Sequence, residues 1–568
     1  MTEDIKRLYL TLLVALLALF AFNKIFPQPV AEEQAAIVNT EEQKAEPKMS
    51  ALPQDDLRVE DISLPAASVD EVLAKDKRLS LENAKIKGSI RLKGARLDNL
   101  SLKNYKQTLE ADSPEVELLS PTKTKTPYFF EAGWIPVDKK IKVPDNESVW
   151  RVKQDVLNDE SPVVLEWDNG QGIKFIRKIT LDKNYMFKIQ QSIENNTNQE
   201  IQLYPYALIR RTLETTDLPS SVVHEGMIGV VDDDLQEIKY KDIVSKDKED
   251  DESKSFKTTD GWAGFSDRYW FTAFILNDEQ KHTVKYSQVA ENTFQVDYVG
   301  EALKIAPKSC LSNDIMLFSG AKEIKLLDTY KKAYNIDKFD LAVDFGWYYF
   351  LTKPFFYILD FFYRFIGNMG WAILLFAALL RLLMFPVANK SFDSMSKMKK
   401  IQPKLQILQE RYGNDKVALQ KATMEMYRKE KINPAAGCLP MLIQIPVFFS
   451  LYKVLNIAIE IRHAPFIGWI KDLSAPDPLV ISQWSHIPLP GLLDIGVWPI
   501  IMGLTMYLQQ KLNPAPTNKD QARMFTLLPL IFTFMLAHFA SGLVIYWTLS
   551  NILALIQQKV IMAKNGVK

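Results

Sequence analysis

Two periodicities divide this chain. From about residue 57 to 336, apolar and polar positions alternate: SPVVLEW and QGIKFIRKITL flank Asp168-Asn169-Gly170, and NYMFKIQQSIEN and QEIQLYPYALIRRT follow. Alternation marks strands with one buried face, and Asp, Asn and Gly clusters mark where they turn. The stretch predicts a large antiparallel β domain, most simply a sandwich. Residues 168–170 predict a hairpin turn, because Asn and Gly tolerate positive φ. An acidic run at 246–254 (KDKEDDESK) reads as solvated surface.

Beyond residue 345 the pattern becomes long apolar runs. Residues 345–366 (FGWYYFLTKPFFYILDFFYRFI) are aromatic, but Lys353, Asp360 and Arg364 fall seven and four apart on one helical face. A charged stripe on an aromatic helix predicts a segment lying in a membrane interface. Residues 371–389 (WAILLFAALLRLLMFPVAN) are long enough to cross a bilayer, and 437–459, 494–512, 524–540 and 542–561 are four further candidates. Only Ser541-Gly542 separates the last two, which predicts a tight transmembrane hairpin. Between the first two of these spans, Met395, Met398, Ile401, Leu405, Leu408 and Tyr412 recur at three or four, Gly413-Asn414 supplies a turn, and Met424 and Tyr427 resume the pattern. This predicts a helical hairpin whose methionine stripe packs within it and, at another end, offers an adaptable apolar surface.

The resulting map has six crossings. Residues 1–27 form a signal-anchor helix; a cleaved signal peptide is the competing reading, but the apolar core is longer than an ordinary one and no A-x-A site follows. Residues 28–56, low in aromatics and rich in Glu, Gln, Ala and Pro, form a flexible linker. Residues 57–344 are the β domain, 345–367 the interfacial amphipathic helix, 368–561 a five-helix α-helical core with the cytoplasmic helical hairpin at 390–436, and 562–568 a short tail.

Charge orients this map. The chain has 69 basic and 69 acidic residues, but 23 basic and 11 acidic of them lie from Phe345 onward, so the balance hides an acidic first part and a basic second one. Residues 390–431 carry 11 basic and 5 acidic residues, whereas 460–494 carry only Arg462 and Lys471 against 4 acids. Short basic loops stay inside. Both termini are therefore expected in the cytoplasm and the β domain outside. Cys310 and Cys438 have neither metal-site nor disulfide spacing.

One residue resists this bilayer reading. Arg381 lies inside the 371–389 run, where a charge costs about 2.5 to 3.5 kcal/mol on insertion scales, so it must face water, a partner or protein interior. Polar residues recur in the other spans: Gln444 and Ser450; Thr505 with Gln509 four residues on; Thr533; and Thr548 with Asn551 three residues on. Taken singly, each reads as helix packing. Around Arg381 they predict a wet, positively charged groove, with Pro386, Pro440, Pro446, Pro499 and Pro529 kinking or breaking helices. Asp494 and Glu460 lie at span ends, and the spans show no acidic residue for ion coupling, no inverted repeat and no phosphate loop. A small-molecule transporter with an extracytoplasmic ligand-binding domain is the alternative class. In the β domain, His224 and His282 are isolated, and residues 260–262 and 268–270 read as aromatic core and rim. No nucleophile comes with its base. An enzyme, a cofactor and a metal site are not expected.

LLRLLMFP, KINPAAGCLPMLIQIPVFFSLYKVL, FIGWIKDLSAPDP and SGLVIYWTLSNILALIQQ, in this order behind an anchor and a β domain, closely resemble a YidC-type membrane protein insertase of Gram-negative bacteria. The resemblance covers essentially the whole chain and is most specific in residues 345–561. It implies a periplasmic β super-sandwich and five core helices enclosing a hydrophilic groove open to cytoplasm and lipid, with Arg381 as its arginine and Gln444, Thr505, Gln510, Tyr546, Trp547 and Asn551 around it. It further implies a recruitment hairpin presenting Lys397, Met398, Lys399, Lys400, Lys404, Arg411, Arg428 and Lys429. Implied partners are nascent membrane proteins, the Sec translocon, the ribosome through the basic hairpin, and the lipid bilayer, without nucleic-acid sequence recognition. Ala377 stands where relatives often carry a hydroxyl, Trp547 where a second tyrosine is common, and the tail lacks a long basic extension.

Overall fold

The computed structural model describes residues 67–214, 223–244, 253–412, 415–430, 432, 439–485, 494–514 and 519–566. The expected anchor and linker lie outside them, as do most of the acidic run, the 413–414 turn and Cys438. Two compact units divide at Asp344 and Phe345.

The first unit is a large antiparallel β-sheet structure of 18 strands among the described residues. Among the described residues one pairing is parallel, a short one between Arg78–Glu82 and Val156–Leu157. The alternation seen in the sequence becomes register: Val163–Asp168 pairs with Ile173–Leu181, which pairs with Met186–Asn195, which pairs with Ser309–Ala321. In the 168–172 turn only Gly170 and Gly172 have positive φ, 71° and 85°. Asn169 contributes its side chain instead, accepting from the Gln171 and Ile173 amides at 2.7 and 3.1 Å. The 21-residue strand Trp270–Ala290 pairs through its first part with Ser309–Ala321 and through its last part with Thr293–Gly300. Two short helices, α1 (Val69–Leu73) and α2 (Ile324–Ala333), accompany the sheet, and α2 buries Ile324, Leu327 and Tyr330.

The core of this unit holds charge. Arg177 is buried, its guanidinium 4.9 Å from the Trp150 ring and bonded to the carbonyls of Ala95, in the turn before strand Arg96–Lys106, and of Ala132, on strand Tyr128–Pro136. Burial lowers its pKa to about 10. Arg96 and Glu131 form a buried ion pair at 2.7 Å, 4.2 Å from the Phe129 ring, and Tyr206 donates to Glu131 at 2.9 Å. Tyr206 reaches Glu131 by crossing its strand partner Gly133, where a Cβ would come within 2.9 Å of the ring.

Residues 260–262 and 268–270 form no open cleft. Trp262 is fully buried against Phe271 and Phe339 and donates to the Asp337 carbonyl; Tyr269 is buried too. His224 and His282 are buried apart, and burial lowers the His224 pKa.

The second unit is helical: α3 (Tyr349–Ile366), α4 (Met369–Leu383), α5 (Phe385–Tyr412), α6 (Lys416–Lys429), α7 (Leu439–Ile457), α8 (Ile481–Ser485), α9 (Val497–Leu512), α10 (Lys519–Leu536) and α11 (Ser541–Lys564). Local chemistry sets the boundaries. Gly367, at φ 78°, ends α3, and the Asn368 side chain caps α4 by accepting from Trp371 N at 3.1 Å. Asp415 caps α6 through the Val417 and Ala418 amides. The first amides of α11 donate to the Leu473 and Ala475 carbonyls of an irregular loop, which supplies partners a helix N-terminus lacks.

The expected 371–389 span is not one helix. It breaks at Met384, with Pro386 in the first turn of α5, and α4 and α5 meet at 65°. By length and apolarity no single described helix is sufficient to cross a bilayer, whereas this bent pair together reaches that size. The first hairpin arm thus starts at Phe385. Pro440 and Pro499 fall in the first turns of α7 and α9 rather than at kinks, because the first N–H groups of a helix make no intrahelical hydrogen bond for proline to remove. Pro446 and Pro529 lie inside helices.

Candidate functional site

The site grows from α11, which packs against α4, α5 and α9 and more lightly against α7. Arg381, in the last turn of α4, donates through Nη2 to the Ser550 carbonyl and lies 3.4 Å from its hydroxyl. Its Nε is buried without a protein partner, and among the described residues no carboxylate pairs with it. Above it Gln444 on α7 donates to the buried Tyr546 hydroxyl at 2.7 Å. On another face of α11, Asn551 donates to Thr505 at 3.1 Å, and Thr505 donates to the Met502 carbonyl at 2.6 Å. Gln510 lies on α9 with its Oε1 buried and unpartnered. A guanidinium among neutral amides and hydroxyls retains unused donors and acceptors, which is the capacity a groove needs to host a polar group in transit.

Trp547 does not join this row. It stacks edge-on with Phe448 at 4.9 Å and tilts against Phe532 at 6.0 Å, beside the Met502, Leu536 and Val544 cluster. Thr533 and Thr548 bond their own helices, to the Pro529 and Val544 carbonyls, as packing residues do. Ala377 is buried.

Several polar partners were not singled out from the sequence. Ser550 receives Arg381, Gln557 donates to Asn389 at 2.7 Å, Gln558 donates to Asn513 at 3.1 Å, and Asn565 donates to Asp393 at 2.8 Å. A signal existed: Ser550-Asn551 and Gln557-Gln558 are polar pairs seven residues apart, so each pair repeats on the same two helical faces. Lys453, on α7, is a cation the same reading passed over; a Cβ on Gly346 would meet its Cε at 2.9 Å.

In the hairpin, Ile401, Leu405 and Ile432 form a core flanked by Met398, Leu408, Met426 and Tyr427. Met398 therefore packs inside, Met395 packs at the root with Ala388, Phe392 and Ala554, and Met424 is exposed. Lys397, Lys400, Lys404, Arg411, Arg428 and Lys429 are exposed and Lys399 is half-buried. Lys404 pairs with Glu430 across the arms at 2.8 Å, and that hydrogen bond lowers the Glu430 pKa. Lys397 pairs with Asp393 at 2.8 Å.

The outer surfaces of the bundle are apolar. Leu442, Ile445 and Phe449 are exposed along α7, and Leu527, Leu530, Ile531 and Met535 along α10. Stripes of this kind mark a surface that meets lipid or another apolar chain.

Residues 78–358 match the family described as YidC periplasmic domain, and residues 361–567 the family described as 60Kd inner membrane protein. The chain belongs to the YidC family of membrane protein insertases. The membrane protein insertase YidC of Beijerinckia indica is 44% identical over 590 positions, covering 100% of this chain and 97% of that protein. That of Rickettsia bellii is 42% identical over 533 positions, covering 92% and 95%. A crystal structure of an active YidC insertase with its first transmembrane domain resolved aligns with 86% of this chain and 92% of its own, at 19% identity and a TM-score of 0.36. The chain is an inner membrane protein with a periplasmic domain.

Proposed function

We propose that this chain inserts hydrophobic segments of nascent proteins into the inner membrane through a groove centred on Arg381. The observation that carries the reading is the Arg381 guanidinium, which among the described residues bonds to Ser550 and to no carboxylate, with Nε buried and unpartnered. A segment enters from the cytoplasm, delivered to the basic hairpin by the ribosome or working with the Sec translocon. Its polar or acidic flank rests near Arg381, Gln444 and Tyr546 while its apolar part passes the exposed faces of α7 and α10 into lipid.

Each negative charge moved outward gains about 2.3 kcal/mol per 100 mV, so the membrane potential supplies a driving force without a bound nucleotide. The N-terminal segment is a signal anchor, both termini are cytoplasmic, α3 lies in the outer interface, and the β unit is a periplasmic super-sandwich serving as tether or chaperone surface. The exposed Phe350, Tyr357, Phe361 and Phe365 along α3 support its interfacial placement.

The test compares single-span substrates with acidic and neutral outer tails in energised proteoliposomes. Arg381→Ala is expected to slow the acidic class several-fold more than the neutral one. Equal slowing of both removes charge attraction from the mechanism.

A further inference from the structure

The break at Met384 separates the helix that carries Arg381 from the helix that becomes the hairpin's first arm. α11 has no such break: it is continuous for 24 residues and lies beside both. Its contacts step across the break in near-constant register. Ser550 meets Arg381 before it; Gln557 Nε2 lies 3.4 Å from the Phe385 carbonyl and 2.7 Å from Asn389 Oδ1 at it; Asn565 Nδ2 donates to Asp393 Oδ1 at 2.8 Å beyond it. The partners are 169, 172, 168 and 172 residues apart in sequence, so the bent pair and α11 run parallel. Around the Gln557 rung, Ala388 and Phe392 pack on Ala554, with Met395 and Ile561 alongside.

A 65° bend between two helices is a joint whose angle must be fixed from outside, because no continuous ladder of backbone hydrogen bonds crosses it. Gln557 supplies the brace closest to the joint. The Phe385 carbonyl can only accept, so the amide nitrogen of Gln557 must face it, which settles the orientation of the side chain. Gln557 is buried, and its Oε1 has no protein partner, so the amide is committed to α5 by its nitrogen alone.

We propose that α11 is a splint across the broken helix and that Gln557 is a positioning residue for insertion: it fixes the angle between the hairpin and the Arg381 helix, so that a segment captured on the hairpin is handed to the groove. This rests on the insertase reading. Gln557 is assigned no direct contact with the substrate's charge; it acts through α5.

The test uses the full chain in proteoliposomes with an arrested single-span nascent protein and photocrosslinkers at two exposed positions, Ile407 on the hairpin arm and Ile445 on α7. Gln557→Leu is expected to leave the Ile407 crosslink intact while the Ile445 crosslink and the insertion rate fall about five-fold, the factor set by one lost hydrogen bond. Adding Asn389→Leu is expected to bring no further loss. Asn565→Ala, at the far rung, is expected to give a smaller split in the same direction. Wild-type insertion by Gln557→Leu, or equal loss of both crosslinks, overturns the proposal. Should Gln557→Leu fail to fold, Asn565→Ala alone decides, and wild-type behaviour there overturns it. Absence of insertion by the unaltered chain defeats the insertase reading instead, which keeps the two failures apart.

Discussion

The two units differ in how they answer an arginine that is withdrawn from solvent. In the β unit Arg96 meets Glu131 at 2.7 Å, with Tyr206 and Asn146 completing the set, and Arg211 meets Asp267 at 2.6 Å. In the helical unit Arg381 meets a serine and a backbone carbonyl, and its neighbours are neutral. A charge answered by a charge is a closed account of hydrogen bonds. A charge answered by dipoles, with Nε still unused, leaves room for a visitor. Arg177 of the β unit is also answered by dipoles and keeps an unpartnered Nε, but it is fully buried in the sheet core, whereas Arg381 is only part-buried, so exposure as well as pairing distinguishes the proposed groove charge.

The largest expected effect tests the first half of that contrast. Arg96→Met or Glu131→Leu alone should destabilise the β unit by about 3 to 5 kcal/mol, because each leaves a buried charge unpaired, and the double variant should recover much of the loss. Hydrogen exchange of strand Tyr128–Pro136 in the full chain reads both. Arg381→Ala should leave the exchange of α11 within about 1 kcal/mol of wild type while impairing insertion. A loss comparable to Arg96→Met would make Arg381 a structural charge and end the comparison.

A second prediction uses a carboxylate that stands between the two cases. Asp297 is buried, accepts from Gln295 at 2.7 Å and has Oδ2 unpartnered; burial raises its pKa to about 6 from an ordinary 3.8. The folded form therefore binds its proton more tightly than the unfolded form. The penalty of the buried charge is full above pH 6 and is relieved as pH falls from about 6 toward 4, worth at most about 3 kcal/mol. Asp297→Asn should raise the stability of strand Thr293–Gly300 at pH 7 and lose that advantage near pH 4. A pH-independent difference would show that the carboxylate is not the cause.

A smaller effect belongs to the helical unit. A Cβ on Gly503 would lie 2.0 Å from Thr533 Oγ1, so α9 and α10 meet through a glycine. Gly503→Ala should cost about 1 to 3 kcal/mol from overpacking, with Thr533→Ala restoring part of it, as detergent melting would show.

How much of this was legible beforehand follows from the range of each signal. Strand alternation is local, so Ile173–Leu181 and Met186–Asn195 could be read directly, and the 168–170 turn was found although Asn169 uses its side chain rather than its φ. Arg381 was visible because a charge in an apolar run is locally anomalous. Its partner Ser550 lies 169 residues away, and nothing local says which polar residue of a later helix will face it. Hydropathy summed over 371–389 also concealed the joint, since Pro386 marks a helix start as readily as a kink. Trp547 was expected in the groove from the resemblance alone; it packs against Phe448 and Phe532, on a different side of α11 from Tyr546, because neighbouring helical residues point about 100° apart.

The smallest expected effect concerns the hairpin. Lys404 and Glu430 join its arms at 2.8 Å, but both are solvent-exposed, and exposed pairs contribute little and are screened by salt. The Glu430 pKa is lowered, chiefly by its hydrogen bond to Lys404, so the contribution is present above pH 4.5 and disappears as pH falls through the lower folded value. The Ile401, Leu405 and Ile432 seam should hold the arms without it. Lys404→Gln is therefore expected to leave limited proteolysis of the hairpin nearly unchanged and to abolish what salt dependence there is, whereas Leu405→Ala should open it. If Lys404→Gln opens the hairpin as far as Leu405→Ala does, then this region too is held by paired charge, and the boundary between charge-specified and apolar construction does not fall between the two units.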